Sequence, residues 1–143
     1  MAQTTLRELR GGLGAALESI EGLAVHETIG GTYNPPFAVV LLREIASYRE
    51  TFGRTGNISI QFNVLVFVAR ADDQLAQTNL DEYVDWVGDL SVPQHLEADK
   101  TMGGVAEHVY VDSFRLLGAE EVAGYGYLGG EFLVTVRADR ERA

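Results

Sequence analysis

Apolar residues recur at intervals of three and four near the start of the chain: Leu6, Leu9, Leu13, Ala16, Leu17 and Ile20, with Arg7, Glu8, Arg10 and Glu18 off that stripe. This spacing matches the turn of an α-helix and predicts an amphipathic helix, capped by Thr4 or Thr5 and ended at Gly22. The pair Gly11-Gly12 weakens it by about 1 kcal/mol per glycine relative to alanine, so the helix depends on docking for its stability.

The pattern then changes. Leu23 to Ile29 predicts a short strand, and a turn-rich stretch follows, Gly30-Gly31-Thr32-Tyr33-Asn34-Pro35-Pro36. The unbroken apolar run Phe37 to Leu42 suits a strand covered on both faces, and Glu44 to Thr51 reads as extended, leading into a loop from Phe52 to Asn57. The longest alternation is Ile58 to Ala69. Ile58, Ile60, Phe62, Val64, Val66 and Val68 fill one face, while the other runs from polar (Ser59, Gln61, Asn63) to apolar (Leu65, Phe67, Ala69). Because side chains alternate along a strand, one end is half-exposed and the other is covered on both sides. The strand is long for a chain of this size and leaves room for a projecting β-hairpin arm.

Asp72 or Asp73 caps a second predicted helix with Ala76, Leu80, Tyr83, Val84 and Val87 on one stripe, closed by Gly88. A short helix follows, capped by Ser91 with Pro93 in its first turn, running to about Ala98. Two further strands, Val105 to Phe114 and Tyr125 to Ala138, are separated by a polar, glycine-bounded connection from Gly118 to Gly124. The Gly-Gly pairs at 11, 30, 103 and 129 have unequal intervals and unmatched flanks, so there is no internal repeat. Strands grouped apart from helices predict a single α+β domain over residues 1–143, a mostly antiparallel sheet with helices packed on one face. Such a layout leaves sheet edges that a neighbouring copy can cover.

Composition sharpens this picture. The 143 residues are 46% hydrophobic, enough for a core, and contain no cysteine, which excludes disulfides and thiolate metal sites. No apolar run reaches the roughly 18 residues of a membrane span, and Met1-Ala2-Gln3-Thr4-Thr5 lacks the basic cluster of a secretory signal, so neither is expected. The net charge of −10 argues against gripping the outside of nucleic acid, which needs clustered Lys and Arg, but suits a wall past which a polyanion slides. The acids are concentrated: between Asp72 and Glu107 nine of them face one base, Lys100. A solvated helical face is the plain explanation.

No catalytic constellation emerges. His26, His95 and His108 lie on three different predicted elements, and no two share an i, i+4 spacing. Asp72-Asp73 sits at a helix start, where capping accounts for it, and the same holds for Glu97-Ala98-Asp99. The serines lack a nucleophile-elbow context. The glycines from Gly124 to Gly130 run into a strand and carry no lysine, unlike a phosphate loop. No cofactor or metal is expected. Trp86 lies off the stripe of its helix and either packs on Leu90 to Leu96 or anchors a contact between subunits, where tryptophan is enriched.

Several segments, in order, resemble the tail terminators of long-tailed phages, particularly those infecting actinobacteria. They are Asn34-Pro35-Pro36-Phe37-Ala38-Val39-Val40, Thr51-Phe52-Gly53-Arg54, Val64 through Asp73, Leu80-Asp81-Glu82-Tyr83, Leu96-Glu97-Ala98-Asp99, Gly103-Gly104 and Tyr127-Leu128-Gly129-Gly130-Glu131-Phe132. At Val92-Pro93-Gln94-His95 the chain departs from the pattern, where a more regular helix is expected. The resemblance spans nearly the whole chain. It implies a non-enzymatic virion protein at the head-proximal end of the tail, assembled as a homohexameric ring. That ring would sit on the last layer of tail tube protein, stop polymerisation and present its far face to the head connector or neck protein, with DNA passing through the lumen without specific binding. On this reading Phe52, Arg54 and Trp86 are candidate subunit contacts, Arg54 pairing with a neighbour's acid or standing as a solvated loop charge. Asp81, Glu82, Asp85 and Asp89 line the lumen or the head-proximal surface. A head-completion or neck protein of the same virion shares this kind of design, and a small ligand-binding protein or enzyme, or a dimer using the sheet edge, are the readings from other classes.

Overall fold

Thr5 opens the first helix, α1 (Leu6–Glu18). Its backbone is extended and its hydroxyl accepts the Glu8 N–H at 3.2 Å, satisfying one of the donors that a helix start leaves unpaired. Leu9, Leu13 and Leu17 are at most 1% exposed, and Ile20 and Leu23 carry the apolar stripe past the helix end. Burying each such side chain is worth roughly 1.5–3 kcal/mol, which offsets the helix-weakening glycines. The two adjacent glycines differ. A Cβ on Gly12 would lie 2.9 Å from the Met102 sulfur, so glycine lets the turn 98–104 close on the helix, whereas a Cβ on Gly11 would meet nothing.

The computed structural model describes residues 2–3, 5–26, 36–47, 57–70, 76–104, 106–122, 125–139 and 141–142. Two residues near each end, β1 (Ala2–Gln3) and β7 (Glu141–Arg142), pair antiparallel. The main sheet takes β2 (Ala24–His26), β3 (Phe37–Ser47), β4 (Asn57–Arg70), β5 (His108–Val122) and β6 (Tyr125–Asp139) in the spatial order β2-β3-β4-β6-β5. Only β2 and β3 run parallel; the other neighbours are antiparallel. The α+β layout with a mostly antiparallel sheet is therefore the one the sequence predicts. The sheet edges are β2 and β5.

The changing pattern of β4 has a direct structural counterpart. Ile60, Phe62, Val64, Val66 and Val68 face the helices inside the main core. On the opposite face Leu65 and Phe67 join Phe37 and Val39 in a second buried cluster, with the Phe37 and Phe67 rings 5.1 Å apart. β4 is the central strand of the sheet. β3 flanks it from Ser59 to Phe67 and β6 from Asn57 to Arg70, so its length is used inside the sheet.

The Gly118 to Gly124 connection is a correction. β5 continues to Val122 and pairs through to Tyr125, so most of that stretch is ladder. Polar residues and glycines do not end a strand whose backbone groups are satisfied by a long neighbour. Register shifts at Leu116/Gly118 and Phe67/Ala69 flank Gly129 from both sides. A Cβ on Gly129 would run into the Val66 carbonyl, and one on Gly130 into the Phe114 ring. Glycine thus lets the bulged neighbours approach closely here.

The helix layer is completed by α2 (Ala76–Val84) and α3 (Val92–Glu97). Leu80 and Tyr83 bury on β4 and β6, while Val92 and Leu96, fully buried, bridge α1 and β5. Val87, expected on the α2 stripe, lies beyond the helix and is 59% exposed. The helix ends at Val84, and Gly88, at φ +122°, then turns the chain toward α3. Val92-Pro93-Gln94-His95 is regular helix after all, with Ser91 accepting the Gln94 N–H at 3.1 Å. Glu97 accepts the Val111 N–H at 2.9 Å, which satisfies a donor beside the β5 bulge at Val111/Ser113. Among the described residues no helix is long and apolar enough to cross a membrane.

Candidate interaction surface

The segment from the end of α2 to the start of α3 gathers most of the singled-out residues. Asp81 and Glu82 lie on α2 and Asp85 and Asp89 in the turn beyond it, all exposed. Trp86, between them, is 79% exposed. It does not pack on Leu90 to Leu96, because Val92 and Leu96 point into the core between α1 and the sheet. The carboxylates crowd the C-terminal end of a helix whose last turn has no basic residue, where the macrodipole disfavours negative charge. Burial, and then the Glu82 carboxylate, push the Tyr83 phenol above its usual pKa.

The backbone of this turn is fixed although its side chains stand out. Asp85 Oδ1 accepts the Trp86 N–H at 2.8 Å, and Gln94 Oε1 accepts the Gly88 N–H at 3.1 Å. The Ser91 hydroxyl donates to the Asp85 carbonyl. His95 Nε2 lies 2.7 Å from the Asp89 carbonyl, which only accepts, so this nitrogen carries the proton; Nδ1 lies 3.1 Å from the Ser19 hydroxyl. His95 thereby ties the turn to the end of α1. A large aromatic side chain on a pinned backbone is presented to solvent at little entropic cost on contact.

A second feature lies on the other side of the helix layer. A groove of about 640 Å³ runs between α1 and the sheet edge, with Arg7, Arg10, Gly11 and Gly14 on the helix side and Val25 and Val40 opposite. Glu18 and His26 also line it. Among the described residues neither Arg7 nor Arg10 forms an ion pair, and Arg10 Nε is shut from water without an acceptor. The sequence reading passed over this groove. Its signal was a second set of positions at helical spacing, Arg7, Arg10, Gly11, Gly14 and Glu18, opposite the leucine stripe.

The remaining candidates do not converge. His26 meets the Phe37 ring edge-on at 5.9 Å, and His108 lies 5.3 Å from Tyr110. Among the described residues no group of three or more His, Asp or Glu is placed to hold a metal. Asp99 accepts N–H bonds from Thr101 and Gly103 and the Thr101 hydroxyl, which hold its carboxyl below the ordinary range, the Gly103 N–H contributing most. Phe52, Arg54, Asp72 and Asp73 lie outside the described residues. On the face of the sheet away from the helices, Arg115 pairs with Glu131 at 2.6 Å. Leu116 and Tyr110, on the β5 edge strand, are 51% and 40% exposed. No protein-family model matches the sequence, and no curated protein matches it.

Proposed function

We propose that this protein is a structural tail terminator of a long-tailed phage. Copies join side by side into a ring, sixfold by the resemblance, which seats on the end of the tail tube and blocks addition of further tube subunits. Its far face receives the head connector or neck protein. The observation that carries the self-associating part is Trp86, 79% exposed on a pinned turn among exposed acids, since a solvent-facing tryptophan of this kind is typical of an interface anchor. Two sheet edges, β2 and β5, offer further surface to neighbours. The segments from Asn34 to Phe132 that resemble those of terminators, in the same sequence order, favour this assembly over others.

The chemistry asked of the protein is steric. Each copy supplies a rigid α+β block, and the excess of acid, −10 per chain, multiplies around a ring. Acids at Asp81, Glu82, Asp85 and Asp89 turned toward the lumen would repel the phosphate backbone, so DNA passes without adhering. The test is electron microscopy of phage assembly with and without the gene. Overlong, headless tails in its absence, restored to uniform length by the wild-type protein, are expected. Normal tails together with filled, tailless heads would overturn the reading in favour of a head-completion protein.

A further inference from the structure

We propose that the turn carrying Trp86 and Val87 on one copy docks into the groove between α1 and β2 of a second copy. The proposal names the two mating surfaces of the ring and rests on the self-association proposed above for its partner. Three observations carry it. The turn is apolar at its tip, with Trp86 and Val87 79% and 59% exposed, and is flanked by the acids Glu82, Asp85 and Asp89 with no base among them. The groove has more base than acid: Arg7 and Arg10, which form no ion pair among the described residues, stand against Glu18, and apolar Val25 and Val40 form a wall. Its helix side is opened by Gly11 and Gly14, where a side chain would otherwise fill it; a Cβ on Gly11 has no neighbour within 4 Å.

Charge makes this match selective. Copies bearing −10 each repel one another at long range, so a stable contact needs a local cationic seat for the acidic turn. A carboxylate entering beside the indole would meet the outer edge of the Arg10 guanidinium, which forms no ion pair among the described residues. The two surfaces are distinct parts of one chain: the turn follows α2, which packs on β4 and β6, and the groove opens at β2, the edge of the sheet. A contact between unlike surfaces is heterologous, and repeated it closes into a ring or continues as a filament.

The experiment measures sedimentation of the full-length protein over a concentration series. Wild type associates beyond a dimer. Trp86→Ala removes the anchor and weakens association by about 30-fold or more, the effect of losing a central aromatic contact. Gly11→Leu fills the groove and abolishes association while the helix gains propensity, so thermal stability does not fall and misfolding is separated from lost docking. An equimolar mixture of the two variants is the sharper test. The Gly11→Leu copy still has the turn and the Trp86→Ala copy still has the groove, so they form one-to-one dimers and nothing larger. Wild type that stays monomeric, variants that associate normally, or a mixture without mixed dimers overturns the proposal. Tails capped normally by Trp86→Ala overturn it while leaving the terminator reading intact. Correct docking with no effect on tube length has the reverse meaning.

Discussion

Two turns flank α3, and they use the same residue types in opposite ways. In the turn 98–104, Asp99 gathers three donors, Met102 lays its sulfur against Gly12, and the Ala106 N–H bonds the Thr101 carbonyl at 2.9 Å. Acid and apolar side chain both serve the fold. In the turn 85–90 the backbone is held as firmly, and Asp85 caps it, but other side chains turn away: Trp86 is in solvent, and the carboxylates of Asp89 and of Glu82, at the end of α2, make no hydrogen bond or ion pair among the described residues. An acid that caps a turn is explained by folding. A cluster of acids against the dipole of α2, around an exposed tryptophan, is not, and the proposed contact between copies would give it a use.

The comparison breaks first on stability. Leu96→Ala, at a fully buried position of α3, is expected to lower unfolding free energy by about 2–5 kcal/mol. Trp86→Ala, ten residues earlier, is expected to leave it within about 0.5 kcal/mol, because there is no core contact to lose. Urea unfolding of both variants at a protein concentration low enough to keep them monomeric checks this. A Trp86→Ala loss of the size seen for Leu96→Ala would mean that the indole belongs to the fold. Ser91→Ala sits between them. It removes the cap of α3 and the hydroxyl that donates to the Asp85 carbonyl, and about 1–2 kcal/mol is expected in the same assay, with the turn loosened as well.

Where periodicity was long, the sequence was easy to read. The leucine stripe of α1, the two-faced pattern of β4 and the capped start of α3 each repeat one physical signal over several residues, and each took the shape expected. The misreadings came where local and distant signals compete. Gly118 and the polar residues after it look like a loop until β6 is seen to run alongside, and Val87 keeps helical spacing although the helix has already ended at Val84. Trp86 lies off the apolar stripe of its segment, but its exposure depends on which way Val92 and Leu96 face, a property of packing that no local pattern records. The groove is not legible in the sequence because Gly11 enters there only through helix propensity, and the space that Gly11 and Gly14 open exists only once β2 lies beside them.

The smallest effect sharpens the contrast by pH. Asp99 is held below the ordinary carboxylate pKa by the Gly103 N–H first, then by the Thr101 hydroxyl and N–H. Its ionised form is therefore favoured in the folded protein, so it adds stability that is complete above the unfolded value of about 4 and is lost as pH falls through the lowered folded value. Melting temperatures of wild type and Asp99→Ala should accordingly differ most at neutral pH, with wild type higher, and converge in strong acid. Glu82, in the last turn of α2, is expected to behave oppositely: Glu82→Gln relieves charge at the C-terminal end of the helix and raises the melting temperature slightly at pH 7. If removing either acid lowers stability alike, the two turns are not different in kind, and the acids beside Trp86 are ordinary scaffolding.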